Sequence, residues 1–339
     1  MTELKKILHV LASNKFSGAE NVVCTIIQKF KNEYDMAYCS PFGPIEDSLK
    51  KQDIKYYGIK KLNPKNLKQI IQEFNPDIIE AHDYTASVIV SFVGFKGKII
   101  SHLHINAKFA KTWNLKTILY SLRIPKFNKV IGVSDSVINE AIFKEKIKDK
   151  YTTIYNYTDK EKIINLAKQN KEQKKYDLFF IGRLNELKNP IEFIEIIKGL
   201  NNKNIKAVMI GDGELKKECQ NKIEEYNLQE NIEMIGFVEN PFPIIKKCKI
   251  GIMPSHVEGF GLTAIESMIL NKPIFNSGVG GLNEIFKDMP ELICKNRREY
   301  CIKINDILNN KKTAKKFEHL IEKYTNESNW KDMMIKIYE

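Results

Sequence analysis

Nowhere in its 339 residues does the chain hold the roughly 20 consecutive apolar residues that a helix needs to cross a bilayer, so a membrane-spanning protein is not expected. Near the N-terminus the apolar run covers only residues 7–12 and is interrupted by His9. That is too short for the core of a secretory signal, and the cytoplasm is the expected location. The six cysteines, Cys24, Cys39, Cys219, Cys248, Cys294 and Cys301, form no Cys-x-x-Cys pair and have no histidine at zinc-finger spacing. Free, buried thiols are therefore expected, rather than a disulfide framework or a structural zinc. Asp-x-Asp is missing too, and with it the carboxylates that would hold a divalent metal on a diphosphate; neither metal nor other cofactor is expected. No short repeat or low-complexity tract suggests a solenoid.

The chain is 43% hydrophobic and 28% charged, with a mean hydropathy of −0.34, as in soluble globular proteins, and its length suggests two domains. Its formal net charge of +12 is uneven, since residues 1–150 hold 24 Lys and Arg against 15 Asp and Glu. Base-reading and aromatic-platform motifs are absent, so nucleic acid is not the expected partner. The charge concentrates in residues 105–129, which carry six basic residues, no acid, and Phe109, Trp113, Leu115, Leu119 and Leu122 at roughly helical spacing. This pattern suits an anionic membrane surface, and equally a solvated helix packed on a sheet. If the first holds, the protein is peripheral at the inner face of the cell membrane.

Short β-rich runs alternate with amphipathic stretches. Strands are expected at 6–11, 36–40, 78–81, 99–103, 130–133 and 153–155, and again at 178–181, 207–210, 232–235, 250–253 and 273–275. Helices are expected at 19–30, 67–74, 85–93, 135–143 and 262–270, with Ser134 or Asp135 as an N-cap. Repeated strand and helix units predict an α/β protein of two Rossmann-like, doubly wound domains facing a central cleft, with ligands at the carboxyl ends of the strands. The polar, lysine-rich passage after Tyr157 marks the boundary. Residues 1–157 are expected to form the first of these domains, 158–175 a linker and 176–324 the second. A terminal helix over 325–339 packs back on the first through Trp330, Met333, Met334 and Ile337.

One stretch carries the chemistry. After the apolar run 250–253 comes SHVEGFGLTAIE, in which Gly259, Phe260 and Gly261 turn the chain into a helix at Leu262 and Thr263. Unpaired N–H groups at such a helix start favour an anion, phosphate above all. Glu258 and Glu266 flank the turn; carboxylates repel phosphate, so hydroxyl groups are their expected partners, and phosphate with hydroxyls on two sides describes a sugar nucleotide. Earlier strands exit at Gly182 and at Gly211 and Gly213. Arg183 and Lys188, just beyond the first of these, can reach a diphosphate, Arg as a two-donor fork and Lys as a point charge. Alone they would be ordinary surface residues; beside Glu258 and Glu266 they point to function.

FIGRLNELKNP, MIGDGEL, IGFVENP, MPSHVEGFGLTAIESM and KPIFNSGVGGLNEIF together resemble the C-terminal domain signature of the family 4 retaining nucleotide-sugar glycosyltransferases, which adopt the glycosyltransferase-B fold. SGAEN, PDIIEAHDYTAS, SHLHIN, VIGVSDSV and IYNYTD extend the resemblance over nearly the whole chain. The resemblance implies that Arg183 and Lys188 neutralise the donor diphosphate with help from the backbone of Gly261, Leu262 and Thr263. It further implies that Glu266 binds the ribose hydroxyls, that Glu258 faces the transferred sugar, and that His104 reaches the sugar or its phosphate. Gly18 and Ala19 match the family's N-terminal glycine loop near donor phosphates and acceptor. The chain departs from the family at Asn156-Tyr157-Thr158-Asp159, where Asn-Gly-Val-Asp is frequent, and at Glu80, which replaces a frequent histidine. His82 and His102 are read as buried structural histidines.

The expected activity is therefore metal-independent, retaining transfer of a hexose from a nucleotide-diphosphate sugar, UDP by family frequency, to a glycan or lipid-linked acceptor in surface polysaccharide biosynthesis. A sugar-nucleotide 2-epimerase on the same fold is the alternative.

Overall fold

Two parallel sheets organise the protein in a computed structural model that describes residues 3–169, 174–309 and 317–339. Contacts divide the chain into two units, Met1–Tyr157 with Ser328–Glu339, and Thr158–Glu327. The first sheet contains β1 (Lys6–Leu11), β2 (Asp35–Pro41), β3 (Tyr56–Ile59), β4 (Ile78–His82), β5 (Lys98–Leu103), β6 (Lys129–Gly132) and β7 (Tyr151–Thr153), in the order β3-β2-β1-β4-β5-β6-β7. The second contains β8 (Tyr176–Ile181), β9 (Ala207–Ile210), β10 (Ile232–Gly236), β11 (Cys248–Met253) and β12 (Ile274–Asn276), in the order β10-β9-β8-β11-β12. Helices cover parallel sheets on both faces, which is why the central strands read as nearly continuous Ile, Val and Leu. Each order reverses direction beside its first strand, between β1 and β4 and between β8 and β11, and open sheets of this kind bind ligands outside the carboxyl ends at that reversal.

The helix Glu327–Tyr338 buries Trp330, Met334, Ile337 and Tyr338. The Trp330 ring lies 5.5 Å from that of Phe30 and stacks on Tyr157 at 5.1 Å, while Lys5 Nζ donates to the Tyr338 carbonyl at 3.0 Å. Each such large side chain contributes about 1.5–3 kcal/mol of burial.

Several elements differ from the sequence reading. The region read as a linker carries the helix Lys160–Leu166, which buries Ile163 and packs on the helices Phe242–Lys247 and Leu262–Ile269; residues 170–173 of it lie outside the described residues. Strand β3 escaped notice because it is short and interrupted by Gly58, where a Cβ would lie 2.2 Å from the Phe42 ring. Strand β7 sits two residues earlier than expected, since Val130 pairs with Tyr151, whose hydroxyl donates to the Ser134 carbonyl at 2.9 Å. The helix expected over 135–143 stops at Asn139, because the Ile142 N–H bonds to the Ala110 carbonyl at 2.9 Å instead of to its own helix.

The segment 105–129 is not one helix. It consists of a turn at Lys108–Lys111, the helix Leu115–Arg123 and a turn at Ile124–Lys126. Asn114 starts the helix through a reciprocal cap with Thr117. Thr117, Tyr120 and Ser121 face inward, with Tyr120 bonded to Ser101 at 2.8 Å, so the leucines face out: Leu115 is 81% and Leu122 66% exposed.

Candidate active site

The second unit brings its expected residues together at the sheet reversal. Beyond β8 the chain passes Gly182, Arg183 and Lys188 before the helix Pro190–Leu200. Asn185 Oδ1 accepts from the Lys188 N–H at 3.0 Å, and the Leu187 carbonyl accepts from the His256 N–H at 2.8 Å, which ties this loop to the one leaving the neighbouring β11. Lys188 Nζ then meets Glu258 Oε1 at 2.5 Å, and Ser255 Oγ donates to the same oxygen at 3.0 Å. Glu258 is only 5% exposed, so its charge is held by two donors rather than by water. Lys188 is thus engaged with Glu258, a contact that uses one of its three ammonium protons. Arg183 is exposed, and its guanidinium has no partner among the described residues.

Gly261 closes the turn as the left-handed N-cap of the helix Leu262–Ile269. The Ala264 N–H is bonded to the Gly261 carbonyl at 2.9 Å, and the N–H groups of Leu262 and Thr263 have no acceptor among the described residues. Two open donors at a helix start favour an anion, and the free Arg183 guanidinium follows β8, the strand paired with the one that leads into this turn. Gly259, Phe260 and Gly261 are buried, held from below by the turn at Gly280. At Gly280, φ is 55° and a Cβ would stand 1.9 Å from the Glu258 carbonyl, so only glycine allows this approach. Gly211 is similarly confined: a Cβ there would stand 1.9 Å from the Gly182 carbonyl. Gly213 follows Asp212, whose carbonyl accepts from the Leu184 N–H at 2.9 Å.

One turn into the helix, Glu266 is partly accessible, and its carboxylate has no hydrogen-bond partner among the described residues. Burial pushes its carboxyl up to about 7. A carboxylate left without donors in a desolvated place is suited to hydroxyl groups that arrive with a ligand.

The first unit presents the other expected residues at the carboxyl edge of its sheet. Gly18 and Ala19 open the helix Gly18–Phe30 just after β1, where Ser17 Oγ bonds the Glu20 carboxylate instead of capping the backbone. His104 follows β5 and is partly exposed; its Nε2 lies 2.9 Å from His82 Nδ1, and its Nδ1 is buried without a partner. His82 is buried, as is His102, whose Nδ1 lies 2.7 Å from Glu80 Oε1. Desolvation holds His82 and His104 well below the usual imidazole range and His9 down to about 4. Asp83, immediately after His82, takes a φ of 110°, a strained conformation, and caps the helix Tyr84–Val90 through the Ala86 N–H at 2.8 Å.

Sequence reasoning did not single out Ser255, Gly280 and Gly281, or the contacts that Glu80 makes with His9, His102 and Tyr338. The run Gly278-Val279-Gly280-Gly281 just after β12 was the available signal for the glycines. Alternation along EAH and HLH was the signal for the histidines, since residues two apart on a strand share a face.

Residues 161–324, almost the whole second unit, match the family model of glycosyl transferases group 1. The chain matches this family over just under half of its length. It is a glycosyltransferase. Over 309 residues it is 24% identical to the capsular polysaccharide biosynthesis glycosyltransferase CapH of Staphylococcus aureus, covering 84% of this chain and 85% of CapH. It is likewise 24% identical over 308 residues to a Campylobacter jejuni α-1,4-N-acetyl-D-galactosaminyltransferase named for an undecaprenol-diphosphate-linked saccharide, with 84% of this chain and 83% of that one covered. HepE of Anabaena, crystallised with UDP-glucose, superposes with a TM-score of 0.83 at 18% identity, covering 98% of this chain and 99% of HepE. The fold is accordingly glycosyltransferase-B. A sugar-nucleotide 2-epimerase finds no support among these matches.

Proposed function

We propose that the protein transfers a sugar from a UDP-sugar, with retention at the anomeric carbon and without a metal, to a lipid-linked glycan in surface-polysaccharide assembly. The observation that carries this reading is that the segments leaving the paired strands β8 and β11 of one unit hold the unpartnered Arg183, the open N–H groups of Leu262 and Thr263, the unpartnered Glu266 and the Lys188–Glu258 pair. Arg183 and the helix start bind the diphosphate, with the remaining Lys188 protons joining them. Glu266 accepts hydrogen bonds from the two ribose hydroxyls, and Glu258 orients the sugar. The acceptor oxygen attacks the anomeric carbon on the face the diphosphate leaves; the bond to the diphosphate breaks with its electron pair, and a diphosphate oxygen takes the acceptor proton. The protein supplies orientation and fixed positive charge for the leaving group. His104, Gly18 and Ala19 are proposed to serve the sugar and the acceptor.

UDP-glucose bound to HepE and the undecaprenol-linked saccharide in the Campylobacter enzyme's name support the donor and acceptor classes. The test is a panel of sugar nucleotides incubated first alone and then with an undecaprenyl-diphosphate glycan. One UDP-sugar should be hydrolysed slowly and consumed faster with acceptor, giving a product of unchanged anomeric configuration by NMR. Inversion, or indifference to every UDP-sugar, would overturn the reading.

The exposed helix Leu115–Arg123 supports docking on an anionic bilayer, where such an acceptor resides. Among the described residues no helix is long and apolar enough to cross a membrane. Leu115, Ile118, Leu119 and Leu122 are exposed beside Trp113. Of the six basic residues, Lys111 is paired with Glu140, and Arg123 is bonded to Ser91 and lies over the Phe92 ring. Lys108, Lys116, Lys126 and Lys129 are left to meet lipid headgroups at about 1 kcal/mol each before screening. That suffices for reversible adsorption, not insertion.

A further inference from the structure

Five titratable side chains share one face of the first sheet. Register aligns His9 with Glu80 and His82 with His102, while two-residue spacing puts His82 beside Glu80 and His104 beside His102. Glu80 is fully buried. It accepts from the Tyr338 hydroxyl at 2.7 Å and from His102 Nδ1 at 2.7 Å, and these donors with His9 hold its carboxyl below the usual range despite burial. An ionised carboxylate only accepts, so His102 carries its proton on Nδ1.

From Glu80 a second line of contacts runs outward. His9 Nδ1 lies 3.6 Å from Glu80 Oε2 and 3.0 Å from His82 Nε2, and His82 Nδ1 lies 2.9 Å from His104 Nε2. Each contact needs one donor and one acceptor, and a neutral imidazole has one of each. Two proton orders satisfy that rule, and they leave opposite groups on His104. A proton on His9 Nδ1 faces the carboxylate and donates to His82, which must then donate from Nδ1 to His104, leaving His104 with Nδ1–H. The reverse order turns a lone pair of His9 toward the nearer Glu80 oxygen, sets the His82 Nε2 proton toward the farther one at 3.9 Å, and moves the His9 proton to Nε2, which has no partner.

We infer that Glu80 is a positioning residue that sets the proton order along His9, His82 and His104, so that His104 offers a fixed Nδ1–H donor to an oxygen of the bound sugar nucleotide. This deepens the proposed donor site and rests on His104 serving it. Among the described residues no acceptor faces His104 Nδ1, a donor whose burial is costly until an oxygen arrives. A nitrogen that already holds a proton cannot receive another, so the acceptor's proton goes to the diphosphate oxygen and not to His104.

The atoms of His82, His102 and His104 that could ligate a metal lie within 4.8 Å of one another, and a divalent ion is the rival occupant of this cluster. Ligation through His82 Nδ1 would force its proton to Nε2 and so impose the reverse order. Tautomers therefore decide between the two. In the full chain labelled with 15N at histidine, long-range proton–nitrogen correlation should place the protons of His9, His82 and His104 on Nδ1. Glu80→Gln should move His82 and His104 to or toward Nε2–H, and Glu80→Asp should restore Nδ1–H. In turnover, Glu80→Gln should lower kcat/KM about five- to tenfold, the worth of one ordinary hydrogen bond, with recovery in Glu80→Asp. Nε2–H on His104 in the parent protein, an unchanged pattern in Glu80→Gln, or a stoichiometric metal found by elemental analysis would each overturn the inference. The tautomer measurement needs no substrate, so failure of the donor-site reading would show separately, as absent turnover with the proton order intact.

Discussion

Glu80 in the first unit and Glu266 in the second are both carboxylates desolvated by burial, Glu80 fully and Glu266 in part, and their partners differ. Glu80 has a tyrosine and a histidine donating to it and a second histidine close by, and its proton is lost easily. Glu266 has no donor among the described residues, and its proton is retained up to about 7. A carboxylate that the fold has already satisfied contributes to structure and can order its neighbours. One that the fold leaves unsatisfied destabilises the empty protein and gains when a ligand brings donors, as binding sites do. The same contrast separates Arg183, exposed and unpartnered, from Lys188, which is engaged with Glu258.

The largest test of this contrast sets the two kinds of residue against each other. Arg183→Ala should lower kcat about 10²-fold, the cost of one preorganised donor at an oxyanion site, while the melting temperature stays at the parent value. His102→Ala should do the opposite first: it strips a donor from a buried charge and should destabilise the first unit by about 3–5 kcal/mol in urea unfolding. Equal loss of stability in both variants would break the distinction.

Acid and base titration sharpen it next. His9 is neutral in the folded chain down to about 4 but protonates near 6.5 when unfolded, so its contribution is present above 6.5 and is lost as pH falls toward 4. Burial of this one group corresponds to at most about 3 kcal/mol. Glu266 has the opposite sign. Its carboxyl holds a proton to about 7 in the folded chain and only to about 4.5 when unfolded, so stability falls as pH rises between those values. Unfolding followed across pH 4 to 8 should show both slopes, and Glu266→Gln should abolish only the second. The smallest effect is expected at Ser255→Ala, which removes one of two donors to Glu258 and should cost about 1 kcal/mol in urea.

A pair of substitutions on the exposed helix extends the comparison to a surface that the fold leaves uncovered. Leu115→Ser with Leu122→Ser should weaken flotation with anionic liposomes about tenfold or more and leave turnover on a water-soluble acceptor intact. Unchanged flotation would remove the docking face.

Much of this protein could be read from its residues because the signals are local. Alternating apolar periods mark most strands of two parallel sheets, and a glycine turn between a strand and a helix marks an anion site wherever it occurs. Glu258, Glu266, Arg183 and Lys188 stand out by their place beside such turns. What the residues alone could not reveal depends on which strands become neighbours: His9 meets Glu80 across 71 positions, and Tyr338 meets it across 258. The outward turn of Leu115 and Leu122 was equally hidden, since helical periodicity finds an apolar stripe without saying whether Tyr120 or the leucines face the sheet. Short-range order follows from backbone preference and side-chain period, which each segment carries by itself. Pairing and burial are set only when distant segments pack, and there desolvation and hydrogen bonding decide which charges the fold satisfies and which it leaves for a ligand.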